Sequence, residues 1–255
     1  MHKYFISLLG LILLPIFGLC QETGLTSPKG NDSPATQANQ LCQVELHDSS
    51  LSVILDESIQ FEVIAGAEKI EIGEGPLWIP SKKTLLFSDV KGNKIHYWSE
   101  KNGSGVFLAP SGHTGTVPFF EGGVLGSNGL ALDSAGNLII CQHGDRRLAK
   151  LALGNNKQER LSTLIATYEG KRFNSPNDLT VAANGDIYFT DPPYGHCDIA
   201  NSVPGEEMVF VDDKREIPYC GIYRYEAATG VVSLVSDDMK LPNGIALSPD
   251  QKWIY

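Results

Sequence analysis

Four residues with oxygen-bearing side chains recur in register along this chain: Glu74, Asn128, Asn177 and Asn243. Each opens a segment of the same design: EGPLWIPSKKTLLFSD, NGLALDSAGNLIICQH, NDLTVAANGDIYFTD and NGIALSPDQKWIY. One carboxylate and three amides form a hard-oxygen donor set that suits Ca²⁺, whereas Zn²⁺ and Cu²⁺ favour thiolate and imidazole. Taken singly, an Asn before a strand caps or turns the chain, because it tolerates the left-handed region and bonds its own backbone. Glu74, ahead of Gly75 and Pro76, would by itself be a surface carboxylate. The shared register of the four positions favours ligands. Other chemistries lack their motifs: no Gly-rich phosphate loop, G-x-S-x-G elbow, H-E-x-x-H pair or C-x-x-C spacing occurs.

The elements that must position these residues follow from the same segments. After each anchor the apolar residues alternate, the chain turns near Lys82, Gly136, Gly185 or Gln251, and a second apolar strand follows. Each segment therefore predicts a β-hairpin. Further strand-like stretches, among them 94–98, 105–108, 147–151, 221–225 and 231–235, bring each unit to about four short strands. The units repeat about every 50 to 65 residues, the size of one propeller blade with loops of variable length. Residues 195–220 read as an insertion between the second and third strands of the third unit. No helical pattern of any length competes. A β-sandwich is the alternative fold, but it gives no reason for a polar anchor repeated in constant register.

Composition agrees with this and narrows the partners. With 42% hydrophobic residues the chain can bury a core, and 26 Gly with 14 Pro favour tight turns and short strands over long helices. The 20 Lys and Arg against 30 Asp and Glu give a net charge of −10, which excludes the electrostatic footprint of a nucleic-acid binder. Residues 1–20 carry one Lys, no acid and an apolar run from Tyr4 to Cys20, the pattern of a secretory signal rather than a membrane span. The protein is thus expected to be exported, to the periplasm or the medium, with Cys20 as an alternative lipid anchor. Residues 21–43 form a polar leader, too poor in large apolar groups to fold, and 44–255 form the propeller. Cys141 reads as a buried small hydrophobe, and a Cys197–Cys220 disulfide would close the insertion.

The chain ends at Tyr255, inside the second strand of its fourth hairpin. Three and a half blades cannot close a ring, so the expectation is an N-terminal fragment of a larger propeller rather than a complete smaller domain.

The segments EGPLWIPSKKTLLFSDV, RFNSPNDLTVAANGDIYFTDPPYG and LPNGIALSPDQKWIY resemble the signatures of the family of gluconolactonase, senescence marker protein (regucalcin) and luciferin-regenerating enzyme. The resemblance covers about residues 60–255. It implies an all-β, six-bladed propeller with one divalent cation, most simply Ca²⁺, in its channel, and hydrolysis of a sugar lactone. It further implies Glu74 and Asn243 as metal ligands, and Asn177 as an amide contacting substrate or metal-bound water. Asn128 becomes a polar contact of the site. Arg172 resembles a substrate-binding arginine, although it stands three residues further from Asn177 than in some members. The family's remaining ligand, an Asp that is also the general base, is expected beyond Tyr255, which would leave a fragment inactive alone. Asp191, before two prolines, reads as a turn former outside the site. Of the loop histidines His113, His143 and His196, His143 is the one placed to line a substrate cleft. A non-catalytic propeller binding Ca²⁺, a sugar or a protein is the rival, and esterase or phosphotriesterase-like chemistry is an enzymatic alternative, because fold alone does not set function.

Overall fold

The computed structural model describes residues 70–255 except 119, 154–160, 199–200 and 203–207, and before Ile70 only Val53 and Ile64. The expected signal segment, the leader and Cys42 lie outside the described residues, as does most of 44–69.

Three four-stranded antiparallel sheets follow one another along the chain, each in simple sequential strand order. The first contains β1 (Gly73–Ile79), β2 (Thr84–Asp89), β3 (Lys94–Ser99) and β4 (Gly103–Leu108). The second contains β5 (Ser127–Leu132), β6 (Leu138–Gln142), β7 (Arg147–Leu151) and β8 (Ser162–Ile165). A two-stranded ribbon of β9 (Thr167–Tyr168) and β10 (Lys171–Arg172) precedes the third sheet of β11 (Leu179–Val181), β12 (Ile187–Asp191), β13 (Gly221–Tyr225) and β14 (Val232–Ser236). An antiparallel bridge between Leu247 and Ile254 marks the fourth hairpin. Among the described residues the remaining elements are short 3₁₀ turns. The arrangement is all-β and propeller-like, with four strands per unit as the repeat predicts.

The hairpin turns use the left-handed region at Gly136, Gly185 and Gln251, while the first hairpin uses Lys83, one residue past the expected Lys82. The shift has a local cause: Pro80–Lys82 forms a 3₁₀ turn, which places the reversal one residue later.

The core is built by alternation on strands covered from both sides. On β6, Leu138 and Ile140 join Ile79, Leu86, Ile95 and Leu130, whereas Ile139 and Cys141 join Leu179, Ile187, Phe189 and Tyr223. Successive side chains of one strand thus fill two different interfaces, as the two-residue period of a strand requires. Phe173, Phe189 and Tyr223 pack with ring centroids 5.1–5.4 Å apart.

The innermost strands meet closely. A Cβ on Gly75, whose φ is +55°, would lie 2.1 Å from the Asn128 carbonyl oxygen, and one on Gly129 would lie 2.8 Å from that of Asn177. Hydroxyls on second strands secure the same contacts: Ser88 Oγ donates to the Asn128 carbonyl at 2.7 Å and Thr190 Oγ1 to that of Asn243 at 2.7 Å. Cys141 occupies the corresponding place on β6, next to the strand-end residue Gln142, and there the backbone N–H of Gly129 donates to the Asn177 carbonyl instead, at 2.7 Å.

The insertion after β12 lies where the repeat predicts it, carrying 3₁₀ turns at Tyr194–His196 and Asp212–Lys214 and a bridge between Cys197 and Phe210. The expected Cys197–Cys220 disulfide does not form: both thiols are free and buried. Each has a partner of its own, Cys197 at 3.7 Å from Ser202 Oγ and Cys220 accepting from Arg215 Nη2 at 3.6 Å. Cys141 is fully buried, as a small hydrophobe should be.

Candidate metal centre at the inner strand ends

The four anchors share one neighbourhood because each belongs to an innermost strand or its approach. Glu74 lies in β1 opposite Ser88, immediately before a bulge that shifts the register by Leu77. Its carboxyl is held above the ordinary carboxylate range, first by burial and then by the charge of Asp178, with partial relief from the Gly75 N–H. A carboxylate in that condition gains from any neighbouring cation. Asn128 is buried in β5, its carbonyl fixed by Ser88.

Asn177 is 2% exposed. Its backbone N–H donates to the Thr190 carbonyl at 2.8 Å, and its side-chain Nδ2 lies 3.4 Å from His143 Nε2. Its Oδ1 is buried without a hydrogen-bond partner. Native proteins satisfy nearly all such atoms, so this one calls for a cation or a water. Asn243 is half-buried, and its Nδ2 donates to Tyr194 Oη at 3.4 Å. The Tyr194 hydroxyl is pushed to a higher pKa chiefly by burial, against the Asn243 bond, and the charges of Cys220, Glu74 and Cys197 raise it further. Glu74 and Asn243 therefore each lie near the Tyr194 hydroxyl.

Asp178, which follows Asn177 where the other anchors are followed by glycine, bonds across to the next inner strand by accepting from the Ile245 N–H at 3.0 Å. Burial raises its pKa against two backbone hydrogen bonds.

Among the described residues no three His, Cys, Asp or Glu side chains gather around a common point. The donors that fit a cation are instead one desolvated carboxylate, Glu74, and the amide oxygens of Asn177 and Asn243, a set matched to a hard divalent ion.

Two residues received less weight from the sequence than the structure gives them. His143 follows β6 and is tacked to the approach of β5, its N–H donating to the Gly126 carbonyl at 3.1 Å. The ring is fully buried, which lowers its pKa to about 4, so it is neutral near pH 7. Tyr194 stands in the turn after β12, and its ring centroid lies 6.4 Å from that of His143. The sequence signals for both were faint, a histidine after a strand and a tyrosine after two prolines.

Asp191 is more than a turn former. It is fully buried, and its carboxylate accepts from the backbone N–H groups of Asn174 and Ser175, each at 2.8 Å, which clamps the segment leading to Asn177. Burial pushes its pKa up to about 7 despite those bonds and the nearby Arg146 and Arg215. Arg172 lies in the β9–β10 ribbon. Its N–H donates to Glu216 Oε2 at 2.8 Å and its carbonyl accepts from Arg146 Nη2 at 3.4 Å, and neither contact involves the four anchors. His113 pairs with Asp145 at 3.5 Å, and His196 packs against Phe120.

Comparison with known proteins bears on the whole of this arrangement. The region described as SMP-30/Gluconolactonase/LRE-like matches residues 72–255. A gluconolactonase of Zymomonas mobilis is 32% identical over 244 residues, 96% of this chain and 64% of its own length. A lactonohydrolase of Aspergillus oryzae is 32% identical over 97 residues, 38% of this chain and 20% of its own length. The solved structure of a gluconolactonase from Xanthomonas campestris superposes with a TM-score of 0.56 at 31% identity, covering 72% of this chain and 52% of that one. The chain thus spans under two thirds of the length of these relatives. The repeated inner-strand anchors, the matched region and the relatives agree, and this chain belongs to the SMP-30/gluconolactonase/LRE-like family.

Proposed function

We propose that this chain forms part of a divalent-cation-dependent hydrolase of sugar lactones, with Glu74 and Asn243 as cation ligands and Asn177 as the amide beside them. The observation that carries the reading is the buried, unpartnered Oδ1 of Asn177 in the neighbourhood of the desolvated Glu74 carboxylate. A bound cation supplies Lewis-acid polarisation of the lactone carbonyl and lowers the pKa of water. The chain's own residues hold the site: Ser88 and Thr190 fix the anchor carbonyls, and Asp191 fixes the approach to Asn177. Asn128 and Arg172 are assigned to the substrate side, and the carboxylate that takes the proton from water is assigned outside the described residues. Ca²⁺ is the cation best matched to one carboxylate and neutral oxygens. The complete propeller is proposed to have six blades, and the protein to be exported.

The test is calorimetric titration with CaCl₂ alongside a pH-stat assay on gluconolactone, with and without chelator. Calcium-dependent acid release that Glu74→Gln abolishes is the expected result. Calcium binding without turnover on any lactone would favour the non-catalytic rival, and turnover unaffected by chelator would overturn the cation.

A further inference from the structure

An amide side chain offers a cation only one of its two ends, and the two ends are nearly the same size. Something must therefore turn such an amide the right way round before a cation arrives. At Asn177 the His143 ring does so. His143 Nδ1 lies 3.2 Å from the Val124 carbonyl, an acceptor only, which assigns the ring proton to Nδ1 and leaves a lone pair on Nε2. That lone pair accepts from Asn177 Nδ2 at 3.4 Å. The flipped amide would set its oxygen against the lone pair and bury its NH₂ without an acceptor. The orientation in the structure leaves Oδ1 as the unpartnered end. At Asn243 the Tyr194 oxygen accepts from Nδ2 at 3.4 Å, but a phenol hydroxyl donates as well as accepts, so that contact sets no preference between the two flips.

The turn that follows β12 is itself coupled to the segment that carries Asn177. Ser175 Oγ accepts from the Gly195 N–H at 2.8 Å and donates to the Pro192 carbonyl at 2.5 Å, so the turn bearing Tyr194 is fastened two residues from Asn177.

We propose that His143 is a positioning residue that fixes the flip of the Asn177 amide so that it presents its oxygen to the cation. The proposal rests on the cation reading of the Glu74 group. The His143 ring acts through its acceptor atom alone, so glutamine, whose Oε1 can accept the same bond, should replace it in part, and leucine should not.

The experiment measures Ca²⁺ affinity by calorimetry on the full-length protein, together with the thermal midpoint in chelator. His143→Leu should weaken calcium binding by roughly 10- to 100-fold, the usual effect of losing a partner that orients a ligand. His143→Gln should recover most of that loss. In an Asn177→Asp background the effect of His143→Leu should largely vanish, since a carboxylate presents oxygen at both ends. Parental affinity in a folded His143→Leu protein, or an undiminished His143→Leu loss in the Asn177→Asp background, would overturn the proposal. Should His143→Leu not fold, parental affinity in His143→Phe, which keeps a ring and lacks the acceptor, overturns it instead. Unchanged calcium binding in Glu74→Gln would bring down the cation reading itself, whereas loss in Glu74→Gln with parental affinity in His143→Leu would defeat only the orientation.

Discussion

Thr190 Oγ1 donates to the backbone carbonyl of Asn243 at 2.7 Å, tying the second strand of the third sheet to the inner strand that follows it. Ser88, in the same place on β2, does this for Asn128. An outer hydroxyl thus sets the height of the next anchor residue. Thr190→Val keeps the shape and removes the donor, and should cost about 1–2 kcal/mol of stability in urea denaturation, with Thr190→Ser close to the parent. Equal stability of the two variants would show that the bond contributes nothing.

Close approach of the inner strands makes a second expectation. Gly75→Ala places a Cβ 2.1 Å from the Asn128 carbonyl oxygen at a φ of +55°, whereas Gly230→Ala, at φ +73°, meets nothing within 4 Å. The second should cost about 1–2 kcal/mol from its backbone conformation alone, and the first clearly more, because backbone cannot move aside as a flexible side chain can. Comparing the two denaturation midpoints checks this.

Asp191 should leave a pH signature. Its folded pKa, raised to about 7, lies above its unfolded value, so the folded state binds the proton more tightly. The resulting stabilisation is complete below the unfolded pKa near 4 and is lost as pH rises towards 7, at up to about 1.4 kcal/mol per unit. Asp191→Asn cannot ionise and should lack this slope while losing one of the two backbone clamps. Denaturation of parent and variant at pH 4.5, 6 and 8 should give curves that converge with rising pH, and parallel curves would refute the assignment.

Calcium should compete with a proton at Glu74. Burial and the charge of Asp178 raise that carboxyl's pKa, so affinity should fall with falling pH at a midpoint above the ordinary carboxylate value. Glu74→Gln should abolish both the tight binding and its pH dependence in calorimetry between pH 4.5 and 7.5.

Export predicts a mature chain starting close to Gln21, because the apolar run ends at Cys20. Intact-mass analysis of the protein from its native host decides this: retention of residues 1–20 would defeat it, and a diacylglycerol adduct on Cys20 would favour the anchor.

What this sequence determined by itself is what travels in local pattern. Alternation and turn residues specified the hairpins, because side-chain direction along a strand has a two-residue period and a reversal needs a residue that tolerates the left-handed region. The repeat also placed Glu74, Asn128, Asn177 and Asn243 at equivalent points, since equivalent blades put equivalent residues at one end of their inner strands. Tertiary structure decided everything that depends on which distant groups share a low-dielectric space. His143 reaches Asn177 across 34 residues and Tyr194 reaches Asn243 across 49, contacts that exist only once the sheets pack. Asp191 becomes a clamp rather than a turn former because folding brings Asn174 and Ser175 to its carboxylate. Cys197 and Cys220 are unpaired and buried, each beside its own polar neighbour in the folded insertion, because pairing depends on geometry that spacing along the chain does not encode.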